Sequence, residues 1–142
     1  MQNRSLAKDY MFRSKIRLKI VEIFLQEKSY ADVVREAQEI VELALKSLLL
    51  EYGVLFPRTY DVSNILREEK TAFPPEIQSQ LERMGEISKK MRRDRELAFY
   101  GSEDLTPSEF YDQQDAVQAI AEAQEVVHGV APFIPLAKPE AR

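Results

Sequence analysis

Apolar positions recur at spacings of three and four along most of the chain, the period of helices that bury one face. Between about Leu6 and Gln26, Ser14, Leu18, Val21 and Leu25 form one line, and Phe12, Ile16, Ile20 and Ile23 form a second line beside it. Together they make an apolar arc wider than one neighbouring helix needs. Such an arc predicts that the helix is either wrapped by others or lies in a dimer interface. Lys15, Arg17, Lys19 and Glu22 leave it only a narrow polar face. Lys28 and Ser29 break the pattern, and Ser29 is placed to N-cap a second helix that carries Asp32 in its first turn. That helix runs from about Tyr30 to Tyr52, with Val33, Ala37, Ile40, Ala44 and Leu48 as its buried stripe. Gln38, Glu42 and Lys46 follow one another at intervals of four, and Glu42 to Lys46 is the favourable order for an ion pair on a helix. Gly53 fits the left-handed position that ends a helix.

After Leu55-Phe56-Pro57-Arg58, either Thr59 or Asp61 can cap a third helix of about two turns carrying Val62, Ile65 and Leu66. Phe73-Pro74-Pro75 closes it, and Pro75 suits the first turn of a fourth helix reaching about Phe99. The inward line of the fourth helix is Ile77, Leu81, Met84, Ser88, Met91, Arg95 and Ala98, in which Arg95 stands where an apolar residue is expected. Gly101 follows as a helix stop. The polar segment 102–111 reads as a loop, and Asp112 caps a fifth helix reaching about His128, with Ala116, Ile120, Ala123 and Val127 inward. Three prolines then mark residues 129–142 as a C-terminal arm or tail. The expected fold is all-α, a four- to five-helix bundle over residues 1–128 with a short helix between the second and fourth long elements.

Composition narrows the classes of function. The 142 residues suit one domain that needs no staple. The absence of Cys removes disulfide and thiolate chemistry and fits a cytoplasmic protein. No apolar run is long enough for a membrane span, and the charged N-terminus lacks a secretory core. A net charge of −4 argues against bulk electrostatic attraction to nucleic acid. The local run Lys89, Lys90, Arg92, Arg93 and Arg95 reads first as a solvated helix face.

Motifs for chemistry are sparse. One His and no Cys leave no zinc or di-iron set, so no metal and no cofactor is implied. Glycine-rich phosphate loops and a GxSxG elbow are absent. His128, at the end of the last helix, reads as a favourable partner of the helix dipole. Arg95 remains. Buried, it needs a carboxylate, with Glu42 or Asp61 as candidates, and the other reading is a phosphate clamp. Lys46, Tyr60 and Tyr100 read first as a solvated lysine and two packed phenols.

Three segments taken together resemble the HEPN domain, named for higher eukaryotes and prokaryotes nucleotide-binding. They are the Ser14–Leu25 line with Ser29-Tyr30; the stretch Ala37 to Leu50 with Gly53 and Pro57-Arg58-Thr59-Tyr60-Asp61-Val62; and Arg95-Glu96-Leu97-Ala98-Phe99-Tyr100-Gly101 with Tyr111 and the alanine-rich last helix. The resemblance spans about residues 6 to 128. It implies an antiparallel bundle that forms homodimers, often beside a separately encoded small nucleotidyltransferase in toxin–antitoxin pairs. Many such domains are metal-independent endoribonucleases that use Arg, four to six residues and then His at a dimer cleft. Here the position five after Arg95 is Tyr100, and the RTHD-type turn reads Arg58-Thr59-Tyr60-Asp61. A phenol ordinarily loses its proton only near pH ~10, so tyrosine is a poor base at neutrality.

The resemblance thus implies a dimeric module that binds nucleotide or RNA and lacks the usual ribonuclease chemistry. Its ligand-binding candidates are Arg95, Tyr100, Lys46, Glu42, Arg58, Tyr60 and Asp61. Two alternatives stay open: a ribonuclease using Arg95 and Tyr100, and a purely structural or regulatory dimer.

Overall fold

A computed structural model describes residues 3–57, 61–101 and 105–135, with 95–99 described as backbone alone. Helix α1 (Arg4–Gln26) starts at Asn3, whose side chain accepts from the Leu6 N–H at 3.1 Å. It ends where Lys28 turns into the left-handed region at φ 61°. Ser29 is the N-cap residue of α2 (Tyr30–Glu51), but its hydroxyl donates to Asp32 at 2.6 Å instead of accepting from the backbone. The two helices form an antiparallel hairpin whose register is fixed at both ends. The Asn3 N–H donates to the Leu50 carbonyl at 3.2 Å, and the Ser47 hydroxyl donates to the Ala7 carbonyl at 2.7 Å. Arg17 reaches Glu36 at 3.0 Å toward the other end.

Gly53 stops α2 with φ 70°. Asp61 caps α3 (Val62–Glu68), accepting from the Ser63 N–H at 2.9 Å. A 3-10 turn at Lys70–Ala72 leads into α4 (Pro75–Tyr100), which stops at Gly101 with φ 83°. The segment expected to be only a loop contains a one-turn helix, α5 (Pro107–Phe110). Its cause is local: Thr106 and Glu109 form a capping box around Pro107 in the first helical position. Helix α6 (Gln113–Val130) starts from a second capping box, Asp112 with Asp115. It continues past His128, and a 3-10 turn at Ala131–Phe133 brings Ile134 into the core. Residues 136–142 of the proline-bearing segment lie outside the described residues.

The described residues hold six α-helices and no strand, so the fold is an all-α bundle. Helix α2 is its centre and packs against α1, α4 and α6. The stripe Val33, Ala37, Ile40, Ala44 and Leu48 is fully buried, and the small alanines let neighbouring backbones approach. Met11 and Val21 of α1, Ile77, Met84 and Ile87 of α4, and Val126 and Val127 of α6 close around it. Charged pairs clamp α4 antiparallel to α6: Lys90 meets the buried Glu122 at 3.0 Å, and Arg83 meets Glu125 at 3.0 Å. The first of the two apolar lines of α1 faces this core. The second, Phe12, Ile16, Ile20 and Ile23, stays exposed.

Candidate functional site

The polar line on α2 becomes a charged seam against α4. Gln38, Glu42 and Lys46 share one face because four residues nearly complete a helical turn. Lys46 Nζ lies 3.5 Å from Glu42 Oε2, and Arg92 of α4 brings its NH1 to 3.6 Å from Glu42 Oε1. Two cations thus share one largely buried carboxylate. The seam has spare hydrogen-bonding capacity. Gln38 Oε1 and Glu42 Oε1 are buried without a hydrogen-bond partner, as is Ser88 Oγ on the inward line of α4. Unsatisfied buried oxygens cost stability and call for an explanation. Lys46 also stands 5.9 Å from the centre of the Phe56 ring, at the entry of the segment that carries Pro57.

The expected residues fall into three groups. Glu42 and Lys46 come together, joined by Arg92. Asp61 is engaged as the cap of α3, with its Oδ1 also accepting from the Ser63 hydroxyl at 2.7 Å. Tyr100 ends α4, is 75% exposed, and sits about 12 Å along the helix axis from Arg92. Arg58, Tyr60 and the side chain of Arg95 lie outside the described residues. The backbone of Arg95 is helical, one turn past Arg92.

Arg92 was not singled out by its own position in the sequence. It belongs to the basic run 89–95, which the bundle divides instead of presenting as one patch. Lys90 turns to Glu122, Arg92 turns to Glu42, and Lys89 borders a cavity of about 380 Å³ between α3 and α4. The usable signal was an acidic residue on α2 facing a helix whose cations sit beside its apolar line.

Tyr111 braces the same half of α4. Its hydroxyl donates to the Asp94 carbonyl at 3.3 Å. Burial first, then the nearby charges of Asp94 and Asp115, push the phenol up to about 12. At the opposite end Tyr52 donates to the Phe133 carbonyl at 3.4 Å, and its phenol is raised above its usual range by burial and by Glu51. Among the described residues, no group of three or more Asp, Glu or His side chains is placed to hold a metal ion. Nor is any described helix long and apolar enough to cross a membrane.

A bundle centred on its second helix, with a charged seam against the fourth and a tyrosine exposed at the end of that helix, defines a small all-α domain. The family model for the HEPN domain matches residues 7–131, and the chain belongs to that family. A protein of Methanocaldococcus jannaschii bearing the name "Putative toxin MJ1304" is 23% identical over 138 residues, covering 93% of this chain and 90% of that protein. No solved structure matches the chain.

Proposed function

We propose that this chain is a dimeric HEPN module of a toxin–antitoxin type system, which binds nucleotide or RNA through the positive half of α4 and pairs with a small nucleotidyltransferase. The observation that carries this reading is Tyr100: it stands exposed where the family's ribonuclease pattern supplies His. A phenol can hydrogen-bond to a ligand, whereas general-base catalysis is the role of the imidazole that the pattern supplies. The toxin name of the archaeal relative, which aligns with nearly the whole chain, supports the setting.

The seam supports the ligand class. Arg92 and Lys46 bring donors to the same carboxylate, Glu42, and guanidinium and ammonium groups are the donors that phosphates use. Arg95 follows one turn later. At the α4–α5 corner Tyr100, Leu105 and Phe110 are exposed, which supports a contact between copies that sets two such helix ends side by side.

Titration of adenine and guanine nucleotides and of short single-stranded RNAs against wild type and Arg95→Ala tests the binding half. Binding that weakens at least about tenfold in the variant, the scale of a lost charge-assisted hydrogen bond, agrees with the proposal. Equal and negligible binding by both proteins removes the ligand. Sedimentation equilibrium at micromolar concentration tests the dimer, and a monomer contradicts it.

A further inference from the structure

The exposed ridge of α1 is a feature that this reading leaves unused. Phe12, Ile16, Ile20 and Ile23 are 54%, 38%, 42% and 56% exposed. At 100° per residue they lie within about 80° of one another, and they span about 16 Å, three turns of helix. Four large apolar side chains in one row form a patch, not the scattered exposure that any surface shows. Charge is distributed asymmetrically around it. Helix α1 holds Arg4, Lys8, Arg13, Lys15, Arg17 and Lys19 against only Asp9 and Glu22, although the whole chain is net −4.

On one flank Arg13 and Arg17 are already matched, to Asp9 at 3.9 Å and to Glu36 at 3.0 Å. On the other flank Lys8, Lys15 and Lys19 fall within about 40° of one another around the helix. None of the three makes an ion pair among the described residues. Beyond Lys15 and Lys19 the surface drops into a groove between α1 and α6, lined also by Glu22, Gln124 and His128.

We infer that this ridge and its lysine row dock an acidic amphipathic helix of a different protein. An apolar stripe three turns long with cations along one edge is complementary to a helix that carries apolar residues on one face and carboxylates beside them. A second copy of this chain fits poorly. A two-fold axis through the middle of the ridge brings like flanks together and sets Lys15 against the partner copy's lysine row. Anionic surfaces fit less well too: Asp9 and Glu27 stand one turn beyond each end of the stripe and would face a bilayer or an RNA backbone. The inference concerns a protein partner and is independent of nucleotide binding and of any contact at the α4–α5 corner.

The test uses two fluorescent 18-residue peptides, both with leucines at helical spacing, one flanked by glutamates and one by lysines, titrated against the full chain by anisotropy. Wild type should prefer the acidic peptide by about five- to tenfold, the preference weakening at high salt. Lys15→Glu with Lys19→Glu should reverse that preference. Ile16→Ser with Ile23→Ser should abolish binding of both peptides while circular dichroism stays helical. Equal binding of the peptides, or binding that these variants do not change, overturns the inference. So does ridge-dependent binding of phosphatidylcholine–phosphatidylserine vesicles or of a 20-nucleotide RNA, and so does a dimer that Ile16→Ser with Ile23→Ser dissociates.

Discussion

Tyr111 ties three physical facts to one side chain. It is buried, it donates to the Asp94 carbonyl, and it faces the charges of Asp94 and Asp115. Burial first, then the charges of Asp94 and Asp115, favour the neutral phenol and raise its pKa from the ordinary 10.0 to about 12. The folded state therefore holds this proton more tightly than the unfolded chain. The resulting stability is fully present below pH about 10 and is lost as pH rises through about 12. Urea unfolding midpoints measured between those pH values should fall for wild type and fall less steeply for Tyr111→Phe; an identical slope contradicts the assignment. Seam residues were only partly legible. The spacing of Glu42 and Lys46 announced their pairing, because an i,i+4 contact is local. Arg92 as the third member was not legible, since it depends on how α4 is rotated against α2. Asp61 was legible as a cap, and the structure puts its carboxylate to that use.

At the scale of elements, starts and stops follow chain chemistry more closely than lengths do. Gly53 and Gly101 take the left-handed positions that their residue type suggests, while Lys28 takes one without being glycine. Lys28→Gly should therefore stabilise the α1–α2 hairpin by about 0.5–1 kcal/mol, the strain of a Cβ in that conformation less the extra entropy that glycine loses on folding, read as a higher urea midpoint with unchanged slope. A lower midpoint contradicts it. The capping box at Thr106 and Glu109 was present in the sequence, but α5 is a single turn with no apolar period to draw attention to it. The double apolar line of α1 was legible as a pattern. Which line faces the core was not, because both have helical spacing and the choice is made by α2. The two faces should behave oppositely. Leu48→Ala, in the centre of α2, should cost about 2–5 kcal/mol through the cavity it leaves. Ile16→Ser on the exposed ridge should move stability by no more than about 0.5 kcal/mol. Comparable losses at both positions would mean that the ridge is buried in solution.

For the whole molecule, a helical bundle followed from the periodicity because helix faces, caps and short connections are encoded nearby in the chain. The family followed from three separated segments that meet around α2 and α4, and it holds across residues 7–131. What the bundle does is less local. On the proposed reading it depends on how the cations of α4 are shared between Glu42, Glu122, Glu125 and a ligand, and on a tyrosine at the position where the family pattern places histidine. The most direct measurement follows a fluorescent single-stranded RNA in EDTA at neutral pH, reading retention and chain length in the same samples for wild type, Arg95→Ala and Tyr100→Phe. The expected result is RNA retained by wild type, retained less by Arg95→Ala, and intact in every lane. RNA cut by wild type and spared by Tyr100→Phe would contradict a binding module without ribonuclease chemistry.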